Sequence, residues 1–151
     1  PVVIAPRAVL EEEDFAAFQA LADLPLGMTA HVVYTDIDPD RPATTSPIVI
    51  SQIIRGLIGF TGLLMTDDLS MGALAGDLAS RGRESIAAGC DMLLHCNGRL
   101  EEMVQVAAVA PLLEGDAAKR AALAVGQRRS PEAVDVAGLR AEVQHHLKAW
   151  G

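Results

Sequence analysis

Three short apolar runs start about thirty residues apart, near positions 28, 61 and 90, and a helix-like segment follows each one. That spacing is the period of a βα unit, and it narrows the fold to an α/β protein. The first run is Met28-Thr29-Ala30-His31-Val32-Val33-Tyr34, the second centres on Leu63-Leu64-Met65, and the third is Gly89-Cys90-Asp91-Met92-Leu93-Leu94-His95-Cys96-Asn97. Two architectures accommodate such units, a doubly wound sheet or part of a closed barrel.

Helices are expected between and around these strands. Leu10, Phe15, Phe18, Leu21 and Ala22 recur at helical intervals over 9–22, with Glu11, Glu12, Glu13 and Asp14 crowding the first turns, where the helix dipole favours anions. Pro25 ends that segment. Ser46-Pro47 opens another, a hydroxyl N-cap followed by proline at the first helical position. Ile50, Ile53, Ile54 and Leu57 form its buried face, and Gly59 stops it. Met71, Leu74 and Leu78 suggest a short helix-like stretch, Arg81 to Ala88 a second one, and Leu100, Met103, Val104 and Ala107 a third. Asp116 to Val125 and Pro131 to Trp150 read as two more helices with no strand between them. The expected division is residues 1–111 as βα units and 112–151 as a helical segment packing on the same domain.

Composition removes several functions. At 151 residues the chain is one domain long, and half of it is apolar, which argues against disorder. A net charge of −8 disfavours nucleic acid and anionic membrane as partners, because phosphate contacts need clustered Lys and Arg. Cys90 and Cys96 on one strand would lie about 20 Å apart at ~3.3 Å per residue, too far for a disulfide. Two reduced thiols fit a cytoplasmic location. No apolar run reaches 18 residues and no basic-then-apolar leader opens the chain. The chain starts with Pro1, and Val2-Val3-Ile4 follows without preamble, as if cut from something longer.

The chemistry concentrates in Gly59-Phe60-Thr61-Gly62-Leu63-Leu64-Met65-Thr66-Asp67-Asp68-Leu69-Ser70-Met71. A buried strand that ends in two carboxylates presents an acid where α/β barrels open their only mouth. Asp67 is the candidate for chemistry; the competing role for Asp67 or Asp68 is to cap the next helix. All three strands end in polar groups: His31, then Thr66-Asp67-Asp68, then His95 and Asn97. Each of His31, His95 and Asn97 has two readings, a hydrogen-bonded structural residue or a lining of the mouth. No Gly-x-Gly-x-x-Gly follows a strand and no Gly-x-x-x-x-Gly-Lys occurs, so no nucleotide site of the usual kinds is implied. No His, Cys and Asp cluster has metal-ligand spacing. Met65 and Met71 are expected in the core, Arg81 and Arg83 on a helix surface.

Gly27-Met28-Thr29-Ala30-His31-Val32, the Gly59–Met71 block and Ala88-Gly89-Cys90-Asp91-Met92-Leu93-Leu94-His95-Cys96-Asn97 together resemble the family-3 glycoside hydrolases. Within them the likeness is to the bacterial cytoplasmic β-N-acetylglucosaminidases of peptidoglycan recycling, and it runs to about Pro111. The resemblance implies the C-terminal portion of a TIM-type barrel, three parallel strands with flanking helices. It implies a retaining hydrolase with Asp67 as nucleophile; His31, Asp68 and Asn97 are the candidate substrate contacts at the strand ends, and no cofactor or metal is expected. An extended backbone would send Asp67 and Asp68 to opposite sides, leaving Asp68 for a structural hydrogen bond or a cap. The family's Lys-His-Phe-Pro-Gly-His-Gly block, its Asp-His acid/base loop and its earlier sugar-gripping Asp and Arg are absent from this sequence. The expected partners are therefore an N-acetylglucosamine-containing saccharide and either the missing N-terminal part of the barrel or another copy of the chain. Alone, the chain is expected to be inactive; the alternative is a non-catalytic half-barrel that associates through its open edges.

Overall fold

The computed structural model describes residues 1–150. The chain opens with β1 (Val2–Val3), then α1 (Arg7–Val9), a π-wound turn (Leu10–Asp14) and α2 (Phe15–Gln19). Next come β2 (Leu26–Met28), β3 (Val33–Tyr34), a 3₁₀ turn (Ala43–Thr45) and a π-wound helix (Val49–Leu57). The second half runs β4 (Leu63–Asp68), α3 (Leu78–Ala88), β5 (Met92–Leu94), α4 (Leu100–Ala107), α5 (Gly115–Gly126) and α6 (Val136–Trp150).

All strand pairings are parallel. β4 lies between β2 and β5, with Leu26 opposite Leu63 and Met65 opposite Met92, while β1 pairs with β3 in a separate two-stranded sheet. The three-stranded sheet is an open arc and does not close into a barrel.

The π-wound helix is built as its opening residues suggest. Ser46 Oγ accepts the Val49 N–H at 3.0 Å, and the same hydroxyl donates to Asp38 Oδ2 at 2.6 Å. Wide winding shows at its end, where the Ile58 N–H reaches back five residues to the Ile53 carbonyl at 2.8 Å. Gly59 then takes φ +75°, which glycine reaches without a Cβ penalty, and closes the helix. Ile50 and Ile53 are 2% and 1% exposed, so each contributes about 1.5–3 kcal/mol of burial.

Three apolar clusters hold the layers together. Leu10, Phe15, Ala43, Val49 and Ile53 join the first helical segment to the π-wound helix, with the Tyr34 ring edge-on to Phe15 at 5.7 Å. Ile50, Phe60, Leu64, Ala88 and Cys90 pack β4 against its helices. Leu69, Leu74 and Val106 bring in α4.

Several local expectations need correction. The run from Met28 to Tyr34 is not one strand: it breaks at 29–32, where buried Thr29 and His31 turn their side chains into a polar network, and its two ends join different sheets. Met71 to Asp77 forms turns, and Met71 is 44% exposed rather than in the core. The third strand spans only Met92–Leu94. Phe18 and Leu21, expected on a buried stripe, are exposed; with Leu24, Leu26 and Met28 they line an open apolar cavity of about 340 Å³ beside β2. None of the described helices is long and apolar enough to cross a membrane.

Candidate active site

The carboxyl ends of β2, β4 and β5 meet, and hydrogen bonds join them. The Leu94 N–H donates to Thr66 Oγ1 at 2.9 Å, and the Leu69 N–H donates to the Leu94 carbonyl at 3.0 Å. From the loop after β2, His31 Nε2 donates to the Asp68 carbonyl at 2.9 Å. Four residues of β4 lie against three of β5 here, since Met65 faces Met92 while Asp68 faces Leu94. Such a bulge re-aims side chains, and bulges concentrate beside active sites.

The two adjacent acids differ sharply in what they hold. Asp68 Oδ1 accepts the Ser70 N–H at 3.0 Å and the Cys96 N–H at 3.2 Å, and Oδ2 accepts the Ser70 hydroxyl at 2.6 Å. Burial pushes the Asp68 pKa up, but the Ser70 hydroxyl and amide, the Cys96 amide and the charge of His95 outweigh it and leave the group below its ordinary value. Asp67 Oδ1 accepts only the N–H of Asp68, at 2.8 Å, and its other oxygen has no hydrogen bond among the described residues. Neither acid caps a helix. α3 starts at Leu78, and its N-cap is Asp77, whose Oδ1 accepts the Ser80 N–H at 2.7 Å. The Asp67 carboxylate is thus the uncommitted one at the strand ends.

His31 is 4% exposed and both its ring nitrogens are engaged, Nε2 with Asp68 and Nδ1 with Thr44 Oγ1 at 2.8 Å. Asn97 is bonded to the start of α4: its amide nitrogen donates to Glu102 Oε2 and its carbonyl accepts the Arg99 N–H at 2.9 Å. His95 Nε2 also meets Glu102 Oε2, at 2.9 Å, while its Nδ1 is buried with no partner among the described residues. Hydrogen bonds from Asn97 and His95 hold Glu102 below the usual carboxylate range, with the charge of Arg99 adding to them.

Arg81, expected on a helix surface, turns inward instead. Its Nη1 donates to the carbonyls of Leu69 at 2.8 Å and Met71 at 3.1 Å, tying the loop after the acids to α3. Thr44 is completely buried under His31. A run of small hydroxylic residues, Thr44-Thr45-Ser46, was the only local hint of that role. Among the described residues no group of three or more His, Cys, Asp or Glu side chains is placed to hold a metal ion.

Residues 1–129 match the model of the glycosyl hydrolase family 3 N terminal domain. The chain belongs to that family. The β-hexosaminidase of Chromobacterium violaceum is 38% identical over 129 residues, which cover 83% of this chain and 36% of that protein. The β-hexosaminidase of Alkalilimnicola ehrlichii is 47% identical over 95 residues, 60% of this chain and 27% of the relative. NagZ from Neisseria gonorrhoeae, solved in complex with N-trifluoroacetyl-D-glucosamine, superposes with a TM-score of 0.69 at 34% identity over 81% of this chain and 35% of that one. The chain spans about a third of the length of the curated relatives it matches. The open arc is accordingly the C-terminal portion of a TIM-type barrel, and the doubly wound alternative falls.

Proposed function

We propose that this family 3 chain is the nucleophile-bearing part of a retaining β-N-acetylglucosaminidase that removes terminal N-acetylglucosamine from peptidoglycan fragments in the cytoplasm. The observation that carries the reading is the contrast between the paired acids: Asp68 is spent on Ser70 and Cys96, while Asp67 keeps an oxygen free at the strand ends.

Retaining chemistry needs an ionised carboxylate beside the anomeric carbon. Asp67 attacks that carbon, the bond to the leaving oxygen breaks through an oxocarbenium-like transition state, and a covalent glycosyl ester forms. Water then cleaves the ester and regenerates the carboxylate. A second group must protonate the leaving oxygen and later take a proton from the water. That group belongs, on this reading, to the amino-terminal part of the barrel, and so do most of the sugar contacts. His31, Asp68 and Asn97 are proposed to shape the floor of the site rather than to grip the sugar, because their polar atoms are already engaged within the chain.

The test joins this chain to the amino-terminal portion of such a barrel, as one polypeptide or as two fragments, and assays a chromogenic N-acetyl-β-glucosaminide. Activity should appear only in the assembled protein, and Asp67→Asn should lower it on the order of a thousand-fold or more. Mass spectrometry of enzyme stopped with a slow substrate should place one sugar on the peptide that contains Asp67. An assembled Asp67→Asn enzyme with wild-type turnover overturns the reading.

A second reading rests on the apolar cavity beside the outer edge of β2, where Leu26 and Met28 are about half exposed. An uncovered strand edge and apolar rim form an association surface, which a second copy of the chain would cover if the amino-terminal portion does not. Sedimentation of the chain alone, then with that portion, distinguishes the two occupants.

A further inference from the structure

We infer that His31, backed by Thr44 and Thr29, is a positioning residue for the Asp67 carboxylate; the inference rests on the glycosidase reading above. Asp67 Oδ1 accepts the N–H of Asp68 at 2.8 Å, so the direction of the carboxylate follows the backbone of Asp68. That backbone is clamped. The peptide joining Asp68 to Leu69 is held at both ends, its carbonyl by His31 Nε2 at 2.9 Å and its N–H by the Leu94 carbonyl at 3.0 Å. The Asp68 side chain is fixed as well, by Ser70 and by the Cys96 amide.

Behind the imidazole lies a buried relay with one direction. A carbonyl only accepts, so the proton facing Asp68 is on Nε2. With the ring neutral, Nδ1 accepts from the Thr44 hydroxyl at 2.8 Å, and the Thr44 oxygen then accepts from the Thr29 hydroxyl at 2.8 Å. Thr29, His31 and Thr44 are 4%, 4% and 0% exposed, so no solvent competes for these bonds. A swing of the ring would strand a part-buried carbonyl and a buried hydroxyl together, which is costly. The break of the first strand at 29–32 thus has a use: it turns His31 across 37 positions of sequence onto the strand that carries the acid. Because a misplacement of about 1 Å can cost roughly 100-fold in rate, such a brace should appear in turnover.

The test uses the assembled enzyme of the previous section and four variants. His31→Leu removes the donor, and His31→Gln restores an N–H at the position of Nε2. Thr44→Val breaks the relay without changing shape, and Thr44→Ser keeps the hydroxyl. His31→Leu should lower kcat by about 10- to 100-fold with KM within about two-fold, and His31→Gln should recover most of the loss. Thr44→Val should fall between them, and Thr44→Ser should match the parent. Amide exchange at Asp68 and Leu69, measured in the chain alone, should quicken in His31→Leu and slow again in His31→Gln. If Asp67→Asn is inactive while His31→Leu turns over normally, or changes KM alone, the positioning role is wrong and the glycosidase reading stands. If the assembled enzyme is inactive or indifferent to Asp67, both fall.

Discussion

Arg120 donates from Nη1 to Asp91 Oδ1 at 2.8 Å, a contact across 29 positions that fastens α5 to the start of β5. The other oxygen of Asp91 takes the Arg55 Nη2 at 2.9 Å and the Leu64 N–H at 2.9 Å. Arg55 also donates to the carbonyls of Phe60 and Gly62 at 3.0 and 2.8 Å, so one carboxylate and one guanidinium set the start of β4. The Asp91 side chain is only 6% exposed. Burial, then the charge of Arg120, lower the Arg55 pKa, and Asp91 opposes both. Removing Asp91 leaves two facing cations and an unpaired amide, a loss of about 3–5 kcal/mol for a buried pair broken on one side. Arg120→Met, which still leaves Asp91 one cation, should cost less, about 1–3 kcal/mol. Urea unfolding decides: Asp91→Ala within 1 kcal/mol of the parent would sink this account.

The two thiols should differ in reactivity. Cys90 is buried against Ile50 and Leu64, and its Sγ donates weakly to the Thr44 carbonyl at 3.7 Å. Burial, with the charge of Asp91 adding to it, pushes the Cys90 pKa up to about 12. Cys96 is exposed. A thiol reagent at pH 8 should therefore modify one cysteine per folded chain, and peptide mapping should find the label on Cys96. Two equivalents reacting at the same rate before denaturant is added would contradict the packing around Cys90.

The parts legible in the sequence are those with local causes. The thirty-residue rhythm is a repeat along the chain, and the Ser46-Pro47 start, the Gly59 stop and the acids at the end of β4 each rest on neighbours a few residues away. The broken first strand was not legible, because the reason to break it is a bond from His31 to Asp68 and another to Thr44. Asp91, within the third apolar run, carries no local mark of its role for the same cause: its partners lie 36 and 29 positions away. Phe18 and Leu21 have the right period for a buried stripe, but periodicity says which face is apolar and not whether something covers it. The different employment of Asp67 and Asp68 also involves more than strand alternation, since the bulge at that point interrupts the regular two-residue period.

Asp68 makes the stability of the strand ends depend on pH. Its pKa lies below the ordinary value, so the folded state holds the charged form more tightly than the unfolded chain does. The resulting stabilisation is fully present above the unfolded value, about 3.9, and is lost as pH falls through the lowered folded value. Asp68→Asn mimics the protonated acid. The gap in melting temperature between parent and Asp68→Asn should be constant from pH 7 down to about 5, then shrink toward zero below about pH 4. A gap that widens on acidification would reverse the sign and remove Ser70 and Cys96 as the cause.

Two glycines separate a rigid contact from a yielding one. A Cβ at Gly62 would lie 2.5 Å from the Leu24 carbonyl oxygen, 2.7 Å from the Phe60 ring and 2.8 Å from the Pro25 carbonyl oxygen. That last oxygen accepts the Leu63 N–H at 3.0 Å, the bond that starts the alignment of β2 with β4. Backbone cannot rotate aside as a side chain can, so Gly62→Ala must move the 24–25 segment and should cost about 1–3 kcal/mol. Gly82 lies inside α3, where a Cβ would meet Val109 Cγ2 at 2.9 Å and Leu93 Cδ1 at 3.0 Å, both ends of movable side chains. Helix propensity favours alanine there by about 1 kcal/mol, which offsets the repacking. Gly82→Ala should therefore stay within about 1 kcal/mol of the parent in urea unfolding, while Gly62→Ala loses clearly more. The opposite order would mean that the approach of β4 to the 24–25 segment is looser than its carbonyl contacts imply.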